Sequence, residues 1–123
     1  MLSAIQDARH NYKSRFLVKL GNKIHSVKSE DIAYFYSDSK LTFLVSREGS
    51  KYPVDQSLEE LSQQVNPEIF FRVNRKYLIH LDSAEEINPY FKGRLKLNLN
   101  PKTEDDVIVS ADKTPAFKQW LDN

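Results

Sequence analysis

The chain's three glycines all fall in short turns, at Gly21-Asn22, Glu48-Gly49-Ser50 and Lys92-Gly93, and each turn is flanked by alternating or β-rich sequence. Glycine in a short polar stretch between two such runs marks an antiparallel hairpin. The chain is thereby constrained to a meander of short strands. Candidate strands are Phe16–Leu20, Lys23–Val27, Ile32–Ser37, Leu41–Ser46, Lys51–Val54, Ile69–Val73, Tyr77–Leu81, Ala84–Ile87, Arg94–Leu99 and Val107–Ser110. The last but one alternates most cleanly, with Leu95, Leu97 and Leu99 on one face and Arg94, Lys96 and Asn98 on the other.

Two helices interrupt the meander. Ser57-Leu58-Glu59-Glu60 reads as a capping box, Leu58, Leu61 and Val65 share a face, and Asn66-Pro67 ends the helix. Near the C-terminus, Thr114 as N-cap and Pro115 at the first helical position start a second helix. Its Phe117, Trp120 and Leu121 form a stripe predicted to dock on the sheet and bury Trp120. The leader from Leu2 through Tyr12, with apolar side chains at 2, 5 and 8, reads as a short helix or a linker arm.

At 123 residues, 40% hydrophobic and 28% charged, the chain is one domain able to bury a core. The absence of cysteine excludes a disulfide framework, a zinc ribbon and a thiol nucleophile. Without an 18-residue apolar run or a secretory leader, the predicted location is cytoplasmic, off the membrane. The net charge of +1 conceals blocks: basic over 1–28, acidic over 29–71, basic over 72–102 and acidic over 103–123. These blocks are either solvated surface charge or a basic face beside an acidic one, which would suit a polyanion.

Enzyme chemistry finds little purchase. His10, His25 and His80 share no metal-ligand spacing. Ser37-Asp38-Ser39-Lys40 has the spacing of a serine–lysine nucleophile but lacks its partner motifs. Glu59-Glu60 and Asp105-Asp106 fit a helix surface and a loop, and no phosphate-binding glycine loop occurs. The chain is predicted to be neither an enzyme nor a carrier of a cofactor or metal.

One constellation remains. Between two strand-like pieces, Phe70-Phe71-Arg72-Val73 and Tyr77-Leu78-Ile79-His80, stands the knot Asn74-Arg75-Lys76. Arginine offers a bidentate fork, lysine a point charge and asparagine a donor–acceptor pair, so the cluster suits phosphates and base edges. It equally suits a plain basic turn.

The order of features resembles the LytTR DNA-binding domain, the output half of LytR/AlgR-type response regulators. The matching pieces are Phe16–Leu20 with Gly21-Asn22, Glu30-Asp31-Ile32-Ala33-Tyr34-Phe35, the loop Ser37–Lys40, the strand Leu41–Val45, Tyr52-Pro53-Val54 and Ser57–Leu61. The family stretch F-x-R-x-H-R-S-x-x-V-N aligns with Phe70–His80, and the closing valine-serine and phenylalanine-lysine with Val109-Ser110 and Phe117-Lys118. Pro89–Arg94 and Lys118–Asp122 look most like the Bacteroidetes branch.

The resemblance implies a mainly β, elongated antiparallel β-β-β fold with one internal helix and a short C-terminal helix. It also implies double-stranded DNA as partner, read at direct-repeat promoter sites, with a possible dimer on DNA. The three contact places carry over as Ser39 and Lys40, then Asn74, Arg75 and Lys76, then Ala111, Asp112 and Lys113. Here Asn74 replaces the family histidine, Lys76 the serine, His80 an asparagine and Ala111 an arginine. Residues 1–15 would then be the linker from a missing N-terminal receiver domain, and 16–123 the DNA-binding domain. A protein-interaction module on the same scaffold is the alternative.

Overall fold

Ten strands and two helices, in the order the sequence predicts, make up residues 12–122, the part of the chain that the computed structural model describes. Strand ends depart from prediction by no more than two residues. A hairpin of β1 (Arg15–Leu20) and β2 (Lys23–Lys28) turns at Gly21, whose φ of 65° lies in the left-handed region that glycine enters freely. The central sheet holds β3 (Ile32–Asp38), β4 (Leu41–Ser46), β5 (Lys51–Val54), β6 (Phe70–Arg72) and β7 (Tyr77–His80) in the order β5-β4-β3-β7-β6. The third sheet holds β8 (Ala84–Pro89), β9 (Leu95–Leu99) and β10 (Val107–Val109) in the order β10-β9-β8. All strand pairs are antiparallel.

The layering follows from the two-residue period of a strand. Along β3, Tyr34 joins a core with Val73, Tyr77, Leu95, Leu97, Leu99, Val107, Val109 and Phe117. Its neighbour Phe35 points the other way, into a core with Phe16, Val18, Leu58, Leu61 and Leu78. The central sheet is thus covered on both faces, which is why Ile32–Phe35 and Tyr77–His80 are buried without a break. Burying one such side chain contributes about 1.5–3 kcal/mol. The leucines of β9 go inward as their alternation predicts.

Helix α1 (Leu58–Gln64) starts with the predicted capping box: Ser57 Oγ accepts from the Glu60 N–H, and Glu60 Oε1 accepts from the Ser57 N–H, both at 3.1 Å. Helix α2 (Thr114–Leu121) corrects the expected N-cap. Lys113, in helical geometry, precedes it, and Thr114 Oγ1 instead donates back to the Ser110 carbonyl at 2.9 Å. A turn over Ser110–Thr114, in which Ser110 O accepts from the N–H groups of Lys113 and Thr114, brings the chain into helical geometry at Lys113, whose carbonyl accepts from the Phe117 N–H, so Thr114 stands inside the helix rather than at its cap. The docking residue is Phe117, fully buried and edge-on to Phe71 at 5.4 Å. Trp120 is only partly buried, and its indole N–H donates to the Pro67 carbonyl at 3.0 Å.

Of the arm read over 1–15, residues 1–11 lie outside the described residues. The Lys13 N–H donates to Gln64 O, Ser14 O accepts from the Ser29 N–H, and Arg15 opens β1. No described helix is long and apolar enough to cross a membrane.

Candidate nucleic-acid interface

The register of the central sheet sets two turns side by side. Tyr36 of β3 pairs with Tyr77 of β7, and the Ser37 N–H donates to Lys76 O at 3.0 Å. Strand β3 therefore ends where β7 begins. The β3–β4 turn at Ser39-Lys40 and the β6–β7 turn at Val73–Lys76 leave from the same edge. A third segment is bonded to the second turn: Asn74 Nδ2 donates to Ile108 O at 2.8 Å, and Lys113 Nζ donates to Arg72 O at 3.2 Å. The three stretches picked out by the sequence resemblance are thus gathered at one end of the domain.

The first turn has no glycine. Ser39 and Lys40 themselves adopt φ of 51° and 70°, the two-residue geometry that suits the twist of a hairpin. For residues with a Cβ this is a sparsely populated conformation, of the kind that concentrates at functional loops. Among the described residues Ser39 Oγ bonds only its neighbour, donating to Asp38 Oδ1 at 3.3 Å. Lys40 is exposed and has no ion pair among the described residues.

The second turn is held from inside. Asn74 Oδ1 accepts from the N–H groups of Lys76 at 2.7 Å and Tyr77 at 2.9 Å, while its amide reaches Ile108. Asn74 thus folds the turn and keeps one N–H for a ligand. Arg72, which sequence reading passed over, grips the same turn from outside. Its Nε donates to Asn74 O and its Nη2 to Arg75 O, each at 2.9 Å, and its Nη1 lies 3.5 Å from Glu59. A charged fork on two carbonyls fixes the loop that carries Arg75. The signal was its position, an arginine ending a strand two residues before the knot.

Arg75 itself is exposed, with no side-chain partner among the described residues. Lys76 instead pairs with Asp105, from the loop before β10. The hydrogen bond to that carboxylate is the main reason its pKa is raised, so Lys76 stays charged at neutral pH. Beneath the turn, burial pushes the Tyr77 hydroxyl up to about 12. In the third segment Ala111 and Asp112 are exposed, but the Lys113 ammonium is drawn onto the Arg72 carbonyl. The cations are therefore unequal: Lys40 and Arg75 have no ion pair among the described residues, whereas Lys76 and Lys113 are each engaged, with Asp105 and with the Arg72 carbonyl.

The sequence profile of the LytTr DNA-binding domain family matches residues 22–122. The transcriptional regulatory protein YpdB of Escherichia coli K12 is 32% identical over 91 residues, which are 74% of this chain and 36% of that protein. The transcriptional regulatory protein LytR of Staphylococcus aureus RF122 is 24% identical over 87 residues, 71% of this chain and 35% of that protein. The chain spans about a third of the length of these relatives. Among solved structures, the LytTr DNA-binding domain of a methyl-accepting/DNA response regulator from Bacillus cereus superposes with a TM-score of 0.76 at 20% identity, covering 89% of this chain and 97% of that one.

Proposed function

Since the chain belongs to the LytTr DNA-binding domain family, we propose that it is the sequence-specific DNA-binding output domain of a bacterial two-component response regulator. The observation that carries this reading is the gathering of three loops at one end of the central sheet, with Lys40 and Arg75 unpaired among the described residues. Loops at a sheet end can enter a groove as a recognition helix would. Arg75 reads base edges, since its rigid fork suits them. Ser39 and Lys40 hold phosphate, and Lys76 and Lys113 add charge after giving up Asp105 and the Arg72 carbonyl. Asn74 shapes the turn and offers its remaining N–H.

The domain acts without catalysis or cofactor, and among the described residues no group of three ligating side chains is placed to hold a metal. It works in the cytoplasm on direct-repeat promoter sites, as one of two copies on DNA. The coverage of about a third of YpdB and LytR supports a longer protein in which residues 1–15 lead from a receiver domain. Selection of bound fragments from a pool of genomic duplexes tests the reading. Enrichment of one repeated motif is expected, and a second repeat at helical spacing should tighten binding through effective concentration. Recovery of random fragments, or equal binding to one and two repeats, would contradict it.

A protein-docking role draws its support from Leu17 and Ile24, which stand 61% and 66% exposed on the outward face of the β1–β2 hairpin. Such a module would show no salt-dependent binding to duplex DNA.

A further inference from the structure

The β8–β9 hairpin ends in a tip that none of the contacts above uses. Strand pairing fixes where it stands. Val109 at the end of β10 lies opposite Leu95, which in turn lies opposite Pro89. The tip Tyr90-Phe91-Lys92-Gly93-Arg94 therefore projects from the same end of its sheet as the Ser110–Lys113 segment, with Arg94 following on from the Val109–Leu95 pair.

Its composition is not that of an ordinary turn. Phe91 is 70% exposed, the most exposed large apolar side chain among the described residues. Lys92 is exposed at a φ of 57° and has no ion pair among the described residues. Arg94 lies over the Tyr90 ring at 5.0 Å and donates from Nε to the Phe91 carbonyl at 3.0 Å. Its two terminal nitrogens are thus held in place with no partner among the described residues. No acidic residue occurs between positions 87 and 103. The adjoining segment is poor in available charge, with Asp112 exposed and Lys113 turned onto Arg72.

We propose that this tip is a fourth DNA-contacting element, in which Lys92 and Arg94 take phosphates flanking the site and Phe91 packs on the sugar wall of the groove between them. A protein partner is the weaker fit, because an apolar anchor for a protein pocket gains little from two unpaired cations beside it, whereas a phosphate backbone needs them. The aromatic ring matches the deoxyribose face, the one apolar surface that a duplex presents at its rim. The proposal rests on the DNA reading above, and extends the footprint past the Ser110–Lys113 segment.

The test is competition titration of the full chain on the selected duplex, with long flanks and with the flank beyond that segment trimmed, at several salt concentrations. Lys92→Asn, which suits a left-handed turn, and Arg94→Gln should each weaken binding to the long duplex about three- to tenfold and lower the salt slope by about 0.9. Phe91→Ala should weaken binding without changing the slope. All three should match the parent on the trimmed duplex, with unchanged melting temperatures. A steep parental slope with all three variants at parental affinity on the long duplex would overturn the proposal and leave the DNA reading standing. A flat parental slope would overturn both.

Discussion

The side chain of Asn74 donates to the carbonyl of Ile108 at 2.8 Å, fastening the cationic β6–β7 turn to a strand 34 residues further on. Its oxygen closes the same turn through the N–H groups of Lys76 and Tyr77. Asn74→Ala leaves those donors without their acceptor and should cost about 1–3 kcal/mol. Thermal denaturation should show the loss, and amide exchange should speed up at Lys76 and Tyr77. Asn74→Asp keeps the acceptor for Lys76 and Tyr77 but sets a carboxylate oxygen against the Ile108 carbonyl, so it too should lower the melting temperature. Equal melting temperatures for Asn74→Ala and the parent would mean the turn holds without this side chain.

Asp105 pairs with Lys76 beside the proposed DNA surface. The pair is substantially exposed, so its loss should barely change the melting temperature. A carboxylate there repels phosphate and occupies a cation. Asp105→Asn should therefore raise affinity for all duplexes about two- to fivefold and steepen the salt slope by about one. Unchanged affinity would place Lys76 outside the interface.

Phe117 and Trp120 lie on one helix but differ in burial. Phe117→Ala should cost about 3–5 kcal/mol, the range for a buried aromatic. Trp120→Phe loses the bond to Pro67 and should cost about 1 kcal/mol. Chemical denaturation of both variants checks the order. Equal losses would mean that the partly exposed indole anchors the helix as much as the buried ring does.

The architecture was legible because its signals are local. Glycine turns, the leucine alternation of β9 and the Ser57–Glu60 capping box each act within a few residues. The cap of the last helix was misread because the turn at Ser110 puts Lys113 into helical geometry before Thr114 and draws the Thr114 hydroxyl back onto the Ser110 carbonyl. The burial of Trp120 was overestimated because helical periodicity gives a face but not its depth. For the site, sequence supplied the exposed cations and missed their holders. Arg72 and Asp105 act on the knot through pairings made only in the folded chain, and Asp105 looked like any loop carboxylate. The left-handed Ser39-Lys40 turn carried no glycine to announce it.

His80 is buried in β7, where its Nδ1 accepts from the Asp82 N–H at 3.0 Å and its ring meets Phe70 edge-on. Burial first, and then the Arg47 guanidinium, hold its pKa below the ordinary 6.5. The unfolded chain therefore binds this proton more readily than the fold does. Stability from neutral His80 is complete above about 6.5 and declines as pH falls from there toward the depressed folded value. The Arg47 hydrogen bond lowers the Asp82 pKa, and its contribution is lost separately, in a window below 3.8. Melting temperature measured against pH should fall below 6.5 for the parent and flatten there for His80→Gln. A parental profile that stays flat from 7 to 5 would contradict this assignment.

In the proposed function the loop end of the central sheet binds DNA, with Arg75 reading sequence and Lys40 holding phosphate. The most direct test is equilibrium titration of the parent, Arg75→Ala and Lys40→Ala on cognate and scrambled duplexes across a range of salt. The parent should show log K falling against log salt with a slope of roughly −4 to −5, from about four to six phosphate contacts. Lys40→Ala should weaken both duplexes alike and lower the slope by about one, while Arg75→Ala should lose about tenfold or more on the cognate duplex and little on the scrambled one. A parental slope near zero, or both variants binding both duplexes as the parent does, would contradict the claim.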